Sequence, residues 1–545
     1  MKHNKIEQIK SICIPYDFRE KLFSLDMENL SEADRFYLKN YGIYNIKVLP
    51  EKFMLRIRVA GGRIAREKLA AISTVAKVYG LELLLTSRAQ LELHGLTALN
   101  VLEVWQRLQK EKITTLQTLT DNFRNIVTDP YDGADRENYV EVYPLIEQMQ
   151  ALFLNKAEWM GMLPRKFNVA ICGTAVTSVH FFGNDLYFAL AKQKEVWGFN
   201  LYLGGKNSEV AQPSGLFVLP NEVPAMFEAV AKAYRTYGLR GSRAKTRLFY
   251  LLQEIGMESF VKKVKHFYPH PVREKGSVKI GKNSPSAVRE LKNDTFGLCY
   301  QTHFGKVDMM SLQAILDYTQ KNNLEIRLGT DQNFYFLGAK ERTLPFKSVQ
   351  GASHITACAG SDYCALSLWN IKEEAACLPL EKIVLYNIQL GFSGCLKGCG
   401  RHHHSDIGLV GLRTNLFGET QKSARIFLGG EYTQGKATAR LLFYAVPLLH
   451  LNSLLEAIIE EFVASGEKEF ESFSHHYLNV HSENFITLWF LAKLYLDEAI
   501  QLEQISEEML YAKLLKHQDF PAFEHNENYQ ESIKVMMHSL WDDAV

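Results

Sequence analysis

The sequence predicts an internally duplicated chain of mixed α+β and α/β class. A compact half-domain and a larger α/β domain each occur twice, related by pseudo-two-fold symmetry. Three observations predict this. One window repeats without a gap, a fainter pair of glycine-terminated strands follows each copy, and a connector rich in Pro, Gly, Ser and Lys separates the halves.

In chain order, an N-terminal extension (1–34) precedes the first half-domain (35–130). Its signature is GRIAREKLAAISTVAKVYGLELLLTSRAQLELHG, residues 62 to 95, which aligns on residues 305 to 338, GKVDMMSLQAILDYTQKNNLEIRLGTDQNFYFLG, at a constant offset of 243. Gly62, Leu69, Ala71, Ile72, Leu81, Glu82, Leu85 and Gly95 meet identical residues. Each copy reads as a turn, a helix with apolar residues every three to four, and an alternating strand. The first α/β domain (131–267) contains FNVAICG from 167 and FNLYLGG from 199, echoed by YNIQLGF from 386 and ARIFLGG from 424 in the second (346–475). Between them lie the connector (268–286) and the second half-domain (287–345), and an unrepeated helical extension (476–545) closes the chain. A pseudo-symmetric pair leaves a cleft between its halves, a usual place for a cofactor.

Composition excludes several classes. With 545 residues, 47% hydrophobic and 23% charged, the chain is a folded, multi-domain one, and a formal charge of +1 argues against a nucleic-acid binder. The start, MKHNKIEQIKSICIP, has no apolar core of a signal peptide, and no apolar run approaches the roughly 20 residues of a membrane span. A cytoplasmic protein is expected, with no membrane association. Eight cysteines in such a chain do not make a disulfide scaffold. Cys13, Cys172, Cys299 and Cys377 stand alone and are expected to be buried small hydrophobes.

The other four are grouped. TACAGSDYC and GCLKGC supply Cys358, Cys364, Cys395 and Cys399, and the first copy has no counterpart of this set. Inert packing suits them poorly, because both pairs lie in glycine-rich turns built for close backbone approach. A structural zinc is a second reading, although zinc ribbons favour two-residue knuckles. An iron–sulfur cluster is the third, since a cubane accepts four thiolates at wider spacing and gains from backbone N–H donors.

Charge supplies a further signal. In FMLRIRV, Phe53, Leu55, Ile57 and Val59 alternate with Met54, Arg56 and Arg58, so a strand would bury one face and aim two guanidiniums from the other. The aligned segment of the second copy, GLCYQTH, has lost both arginines. RKFNV likewise puts Lys166 and Asn168 on one face and Phe167 and Val169 on the other.

These two cysteine motifs, with FMLRIRVAGG, LTSRAQLELHG, DNFRN and LPRKFN in that order, resemble the sirohaem and four-iron four-sulfur (4Fe-4S) nitrite and sulfite reductases. The resemblance covers roughly residues 35 to 475 and includes the duplication. It implies two ferredoxin-like half-domains and two sirohaem/iron–sulfur α/β domains. It implies that Cys358, Cys364, Cys395 and Cys399 hold the cluster, Cys399 also bridging to the sirohaem iron. It assigns Arg56, Arg124, Lys166 and Asn168 to the catalytic pocket that binds the anion, and Arg88, Gln332, Asn333 and Arg401 to cofactor contacts. His402 to His404 help to neutralise the cofactor charge or form a solvated turn.

Within such families the nitrite enzymes tend to show Asn, and the sulfite enzymes Lys, at the position of Asn168. A dianion needs the additional cation, so the expectation is six-electron reduction of nitrite to ammonium. Sulfite reduction to sulfide is the alternative, and a non-catalytic zinc protein the remote one. Without a dinucleotide fingerprint, electrons must come from a donor protein, a ferredoxin or a flavoprotein. Two departures stand out. Leu396-Lys397-Gly398 replaces the usual Pro-Asn-Ser type of insert, where an inward Lys397 would raise the cluster potential, and IVTDPYDG replaces the usual Cys-Pro turn after DNFRN.

Overall fold

The computed structural model describes residues 3–349, 351–417, 419–495 and 505–514. It divides into two compact units, Met1–Ser353 and His354–Val545.

The N-terminal extension is built into the first unit. Asn4 caps the helix Lys5–Ile12, Ser31 and Asp34 form a capping box on Glu32–Leu38, and Ile9, Phe18 and Leu22 are buried in the core of the half-domains. The first half-domain follows as strands β1 (Ile43–Ile46), β2 (Leu49–Ile57), β3 (Arg63–Ile64), β4 (Glu82–Leu85) and β5 (Leu91–Leu96). The alternation in β2 does what the pattern predicts: Phe53, Leu55 and Ile57 are buried against Leu83, Leu91 and Leu93, with Arg56 on the other face. Helix Arg66–Tyr79 covers the same core with Leu69, Ile72 and Val75.

The first α/β sheet comprises β6 (Val169–Cys172), β7 (Val176–Thr177), β8 (Leu186–Gln193), β9 (Val196–Leu203) and β10 (Gln212–Val218). Strand β6 is parallel to β8, and β8, β9 and β10 run antiparallel, followed by helix Val223–Tyr237. The expected connector is structured. Its segments β11 (Arg273–Glu274), β12 (Ser277–Val278) and β13 (Gly281–Lys282) pair with β10, β8 and β7. Edge pairing needs only backbone groups, so polar composition did not prevent it.

The second half-domain has β14 (Val288–Glu290), β15 (Phe296–Tyr300), β16 (Lys306–Val307), β17 (Glu325–Leu328) and β18 (Phe334–Ala339). The two half-domains exchange a strand. Strand β16 completes the first sheet against β4, with Lys306 opposite Leu84, and β3 completes the second against β17, with Arg63 opposite Arg327. The offset of 243 relates every one of these pairs. It also relates the left-handed residues: Gly62 and Gly305, Ala89 and Gln332, Gly95 and Gly338. Leu55 faces Leu93 as Leu298 faces Phe336, so Arg56 is matched by Cys299 and Arg58 by Gln301. That corrects the alignment of FMLRIRV on GLCYQTH by one residue, a slip that would have turned every side chain to the wrong face.

In the second unit the sheet order is β19 (Ile355–Ala357), β20 (Leu390–Ser393), β21 (Ile407–Phe417), β22 (Glu419–Leu428) and β23 (Arg440–Pro447). The first three are parallel, the rest antiparallel, and helix Leu448–Ala464 follows. This repeats the order of β6, β8, β9, β10 and their helix. Parallel bridges from Phe123 to Phe167 and Val127 to Ala170 stand where β19 stands. Of the expected C-terminal helices, Glu483–Tyr495 and Glu507–Leu514 form, and residues 496–504 and 515–545 lie outside the described residues.

Candidate active site

In the first unit, each residue of DNFRN has a separate task. Asp121, fully buried, receives Lys10 at 2.9 Å and Arg243 at 2.6 Å. Burial alone would push its pKa up, and those two cations hold it below the ordinary carboxylate value. Asn122 joins Asn40, Leu119 and Gly161 by hydrogen bonds, and Phe123 sits in an aromatic cluster with Phe153, Trp159 and Phe167. Arg124 donates to the Thr118 carbonyl at 2.6 Å, and Asn125 ties Val59 to the Arg88–Ala89 turn. The motif thus welds the end of β2, the β4–β5 turn and the first α/β domain together, with Arg124 in the middle.

Arg124 makes no ion pair among the described residues. Burial first, then Arg56, Arg88 and Arg165, lower its pKa well below the ordinary arginine value. The last three act as like charges, so four guanidiniums crowd one region. Arg56 is held across the sheet by Glu92 at 2.8 Å. Arg88 donates to Asn184 Oδ1 at 2.9 Å and to the Asn125 carbonyl at 2.6 Å. Lys166 is half-buried, while Phe167 and Val169 are buried in the core on the opposite face. Asn168 is 5% exposed, its N–H donating to Asp185, and its Oδ1 is buried with no hydrogen-bond partner. Such an acceptor, left without a donor, is expensive unless a ligand supplies one.

Arg58 differs from the sequence reading. It follows the end of β2, is 5% exposed, and donates to the carbonyls of Leu116, Gln117, Phe123 and Arg124. Burial lowers its pKa to about 9. It shapes the chain that carries Arg124 instead of facing a ligand.

The equivalent sheet face of the second half-domain is filled. Tyr131, from the DPYDG turn, packs on Cys299, Tyr335, Leu337 and Leu291, its ring 5.2 Å from that of Tyr335. A Cβ on Gly297 would come within 2.3 Å of the Tyr131 ring, so the glycine makes room for it. The rebuilt loop therefore closes the face where the first half-domain carries its charges. Gln332 adopts φ +70 and donates to the Leu85 carbonyl at 3.1 Å, and Asn333 accepts from Thr302 N and donates to Asp331. Both brace the turn that mirrors the Arg88–Ala89 one.

In the second unit, Cys358 follows β19 and Cys395 follows β20, which are adjacent and parallel, so both loops leave the same end of the sheet. Gly394 N donates to Cys358 Sγ at 3.1 Å. Burial pushes the Cys358 thiol up to about 12, the neighbouring Cys399 adds to it, and the Gly360 and Gly394 N–H groups oppose. N–H groups aimed at a buried sulfur are what a metal-bound thiolate uses. Glycine is required here: a Cβ on Gly394 would meet Ser367 at 2.0 Å, and one on Gly400 the Phe392 carbonyl at 2.0 Å. Among the described residues, no three His, Cys, Asp or Glu side chains surround one point as for a single ion.

Arg401, half-buried at φ +61, closes the loop by donating its N–H to the Gly398 carbonyl. Lys397 is exposed. The histidine run is not a solvated turn. His402 and His404 are buried, and burial, with His403 and His404 beside it, lowers the pKa of His402 to about 3. His402 is therefore a neutral packing ring against Phe427, bonded to Ser393, and not a cation for the cofactor. The lone cysteines also split: Cys172 and Cys299 are buried, whereas Cys13 is half-buried and Cys377 exposed.

Two family models match in tandem: the nitrite/sulfite reductase ferredoxin-like half domain over residues 49–111, and the nitrite and sulphite reductase 4Fe-4S domain over 119–272. The ferredoxin–nitrite reductase of Leptolyngbya laminosa is 26% identical over 506 residues, covering 85% of this chain and 98% of that protein. Both matched models are those of nitrite and sulphite reductases, over two segments of the chain. The chloroplastic ferredoxin–nitrite reductase of Arabidopsis thaliana is 27% identical over 82% of this chain and 83% of its own. Mycobacterium tuberculosis NirA protein shares the fold, with a TM-score of 0.79, 22% identity, and coverage of 89% of this chain and 97% of that one. The matched models and named relatives are those of oxidoreductases that act on nitrite or sulphite, and one of the models is a 4Fe-4S domain. The segment matched by the 4Fe-4S model is the first α/β domain and contains Cys172 alone of the eight cysteines, so the ligand set is read from 358–399, not from the match. No described helix is long and apolar enough to cross a membrane.

Proposed function

We propose that this chain reduces nitrite to ammonium by six electrons, taking them from ferredoxin, at a sirohaem iron coupled through the Cys399 thiolate to a 4Fe-4S cluster on Cys358, Cys364, Cys395 and Cys399. The observation that carries the reading is the crowd of like charges around Arg124, which is costly unless an anion joins it. The relatives named ferredoxin–nitrite reductase supply the anion and the donor. A small oxyanion is drawn in and oriented by Arg56, Arg124 and Lys166, and Asn168 adds a neutral polar group where a further cation would suit a dianion. Arg56 and Arg124 keep water and protons ordered at the oxygens that leave. Arg88, Gln332, Asn333 and Arg401 are assigned to the sirohaem side chains, the carboxylates finding their charge in the arginines. When bound, the two cofactors supply electron storage and the redox-active iron.

The finer domain division at 130, 267, 286, 345 and 475 and a cytoplasmic site of action belong to the same reading. The test is purification from cells able to supply both cofactors, tetrapyrrole and iron analysis, and parallel nitrite and sulfite assays with reduced ferredoxin. Nitrite is expected to have the higher kcat/KM. A clear sulfite preference replaces the substrate, and a protein without iron or tetrapyrrole ends the reading. Cys399→Ser is expected to abolish turnover and disturb the visible spectrum.

A further inference from the structure

Arg56 and Glu92 stand directly opposite each other on β2 and β5. One Glu92 oxygen accepts from Arg56 Nε at 2.8 Å and lies 2.5 Å from Nη2, and the other lies 3.0 Å from His94 Nε2. The Glu92 side chain is 7% exposed and that of Arg56 25%, so the acid is the buried member and the guanidinium the one that reaches outward. Burial raises the pKa of Glu92, but Arg56 and His94 more than reverse this and bring it to about 2. The carboxylate is thus a permanent negative charge. At the matching pair of the second half-domain stand Cys299 and Tyr335, beneath Tyr131. The acid therefore accompanies the half that carries the cations and is absent from the half that does not.

A neutral acceptor would hold Arg56 in place without the desolvation penalty of a buried carboxylate. Glutamate adds something a neutral group does not, which is charge. It sits against one of the four guanidiniums whose mutual repulsion is already visible at Arg124.

We propose that Glu92 is a specificity-determining positioning residue of the anion site: it fixes the Arg56 guanidinium and cancels one positive charge of the set, matching the site to a singly charged oxyanion over a doubly charged one. The inference rests on the reading that these arginines receive the substrate, and it names the device that selects nitrite.

The test is Glu92→Gln in the cofactor-loaded enzyme, with nitrite and sulfite dissociation constants taken at equilibrium from shifts of the visible absorption bands. The ratio of sulfite to nitrite affinity is expected to rise about tenfold, the order expected of one elementary charge in a partly screened interior. Glu92→Asp, which keeps the charge and shortens the reach, is expected to leave the ratio unchanged and to lower kcat. A fully loaded Glu92→Gln protein whose ratio moves by less than about twofold, well under that charge effect, overturns the inference. If Glu92→Gln does not load, Glu92→Ser is titrated in its place, and the same rise, or lack of it, in the ratio decides. A loaded wild-type protein that reduces neither anion sinks the proposed function and this inference together. One that reduces nitrite while the substitution leaves the ratio unchanged sinks this inference alone.

Discussion

Gly62 and Gly305 each lie against the strand end of the other half-domain. A Cβ on Gly62 would stand 2.3 Å from the Leu328 carbonyl oxygen, and one on Gly305 2.8 Å from that of Leu85. Both have positive φ, +75 and +91. Gly305→Ala is expected to destabilise the protein by about 2 kcal/mol or more, through strain and through displacement of the exchanged strand. Urea unfolding followed by far-UV dichroism measures it, and an unchanged midpoint would contradict the role given to this contact.

Arg58 satisfies four carbonyls that otherwise have to find partners inside the core. Arg58→Met keeps much of the volume and none of the donors. The expected cost is about 3 kcal/mol or more, together with a loss of nitrite affinity as the Arg124 segment loosens. Unfolding curves and equilibrium anion titration separate the two effects.

Arg124→Gln is expected to behave in the opposite sense. Removing a cation that burial and three neighbouring arginines disfavour should stabilise the apoprotein, by about 1 kcal/mol, while nitrite binding weakens about tenfold or more. Thermal unfolding of the apoprotein against anion titration of the holoenzyme is the relevant pair. Loss of both stability and binding would mean that the crowding is relieved in some other way.

Asp132 carries the pH prediction. Burial raises its pKa from 3.8 to about 6, although Val142 N, Tyr143 N and Asn138 donate to it. The folded state therefore holds its proton more tightly than the unfolded state. That contribution is complete below about pH 4 and lost as pH rises through about 6. Asp132→Asn removes the titration, so its stability relative to wild type should improve by about 3 kcal/mol between those limits. Guanidinium melts of both proteins at several pH values test this, and parallel pH profiles would refute it.

Much of the fold was legible because duplication leaves paired signals. The glycines at 62, 95, 305 and 338 and the apolar spacing of the two helices reappear at one offset. The strand exchange was not legible, because Arg63–Ile64 and Lys306–Val307 are two residues each and too short to carry a pattern. The strand face that carries Arg56 was legible from alternation, and the cysteine set is proposed from its spacing. Arg58 shares that alternation, yet the strand ends at Ile57 and the guanidinium turns into the core. Glu92 and Asp121 were missed because a lone acid in a strand or turn reads as surface until the cation across from it is known. The histidines were misjudged because polar residues in a glycine-rich stretch read as loop, whereas β20 and β21 enclose them.

The strand exchange also has a bearing on synthesis. Strand β4 has no outer neighbour until Lys306–Val307 has left the ribosome, more than two hundred codons later. At about 5 to 20 residues per second, that edge waits on the order of 10 to 45 seconds. A nascent chain with a bare sheet margin for so long is open to pairing with its polysome neighbours. Slow codons before residue 305 would lengthen this exposure, and chaperone capture in that window would shorten it.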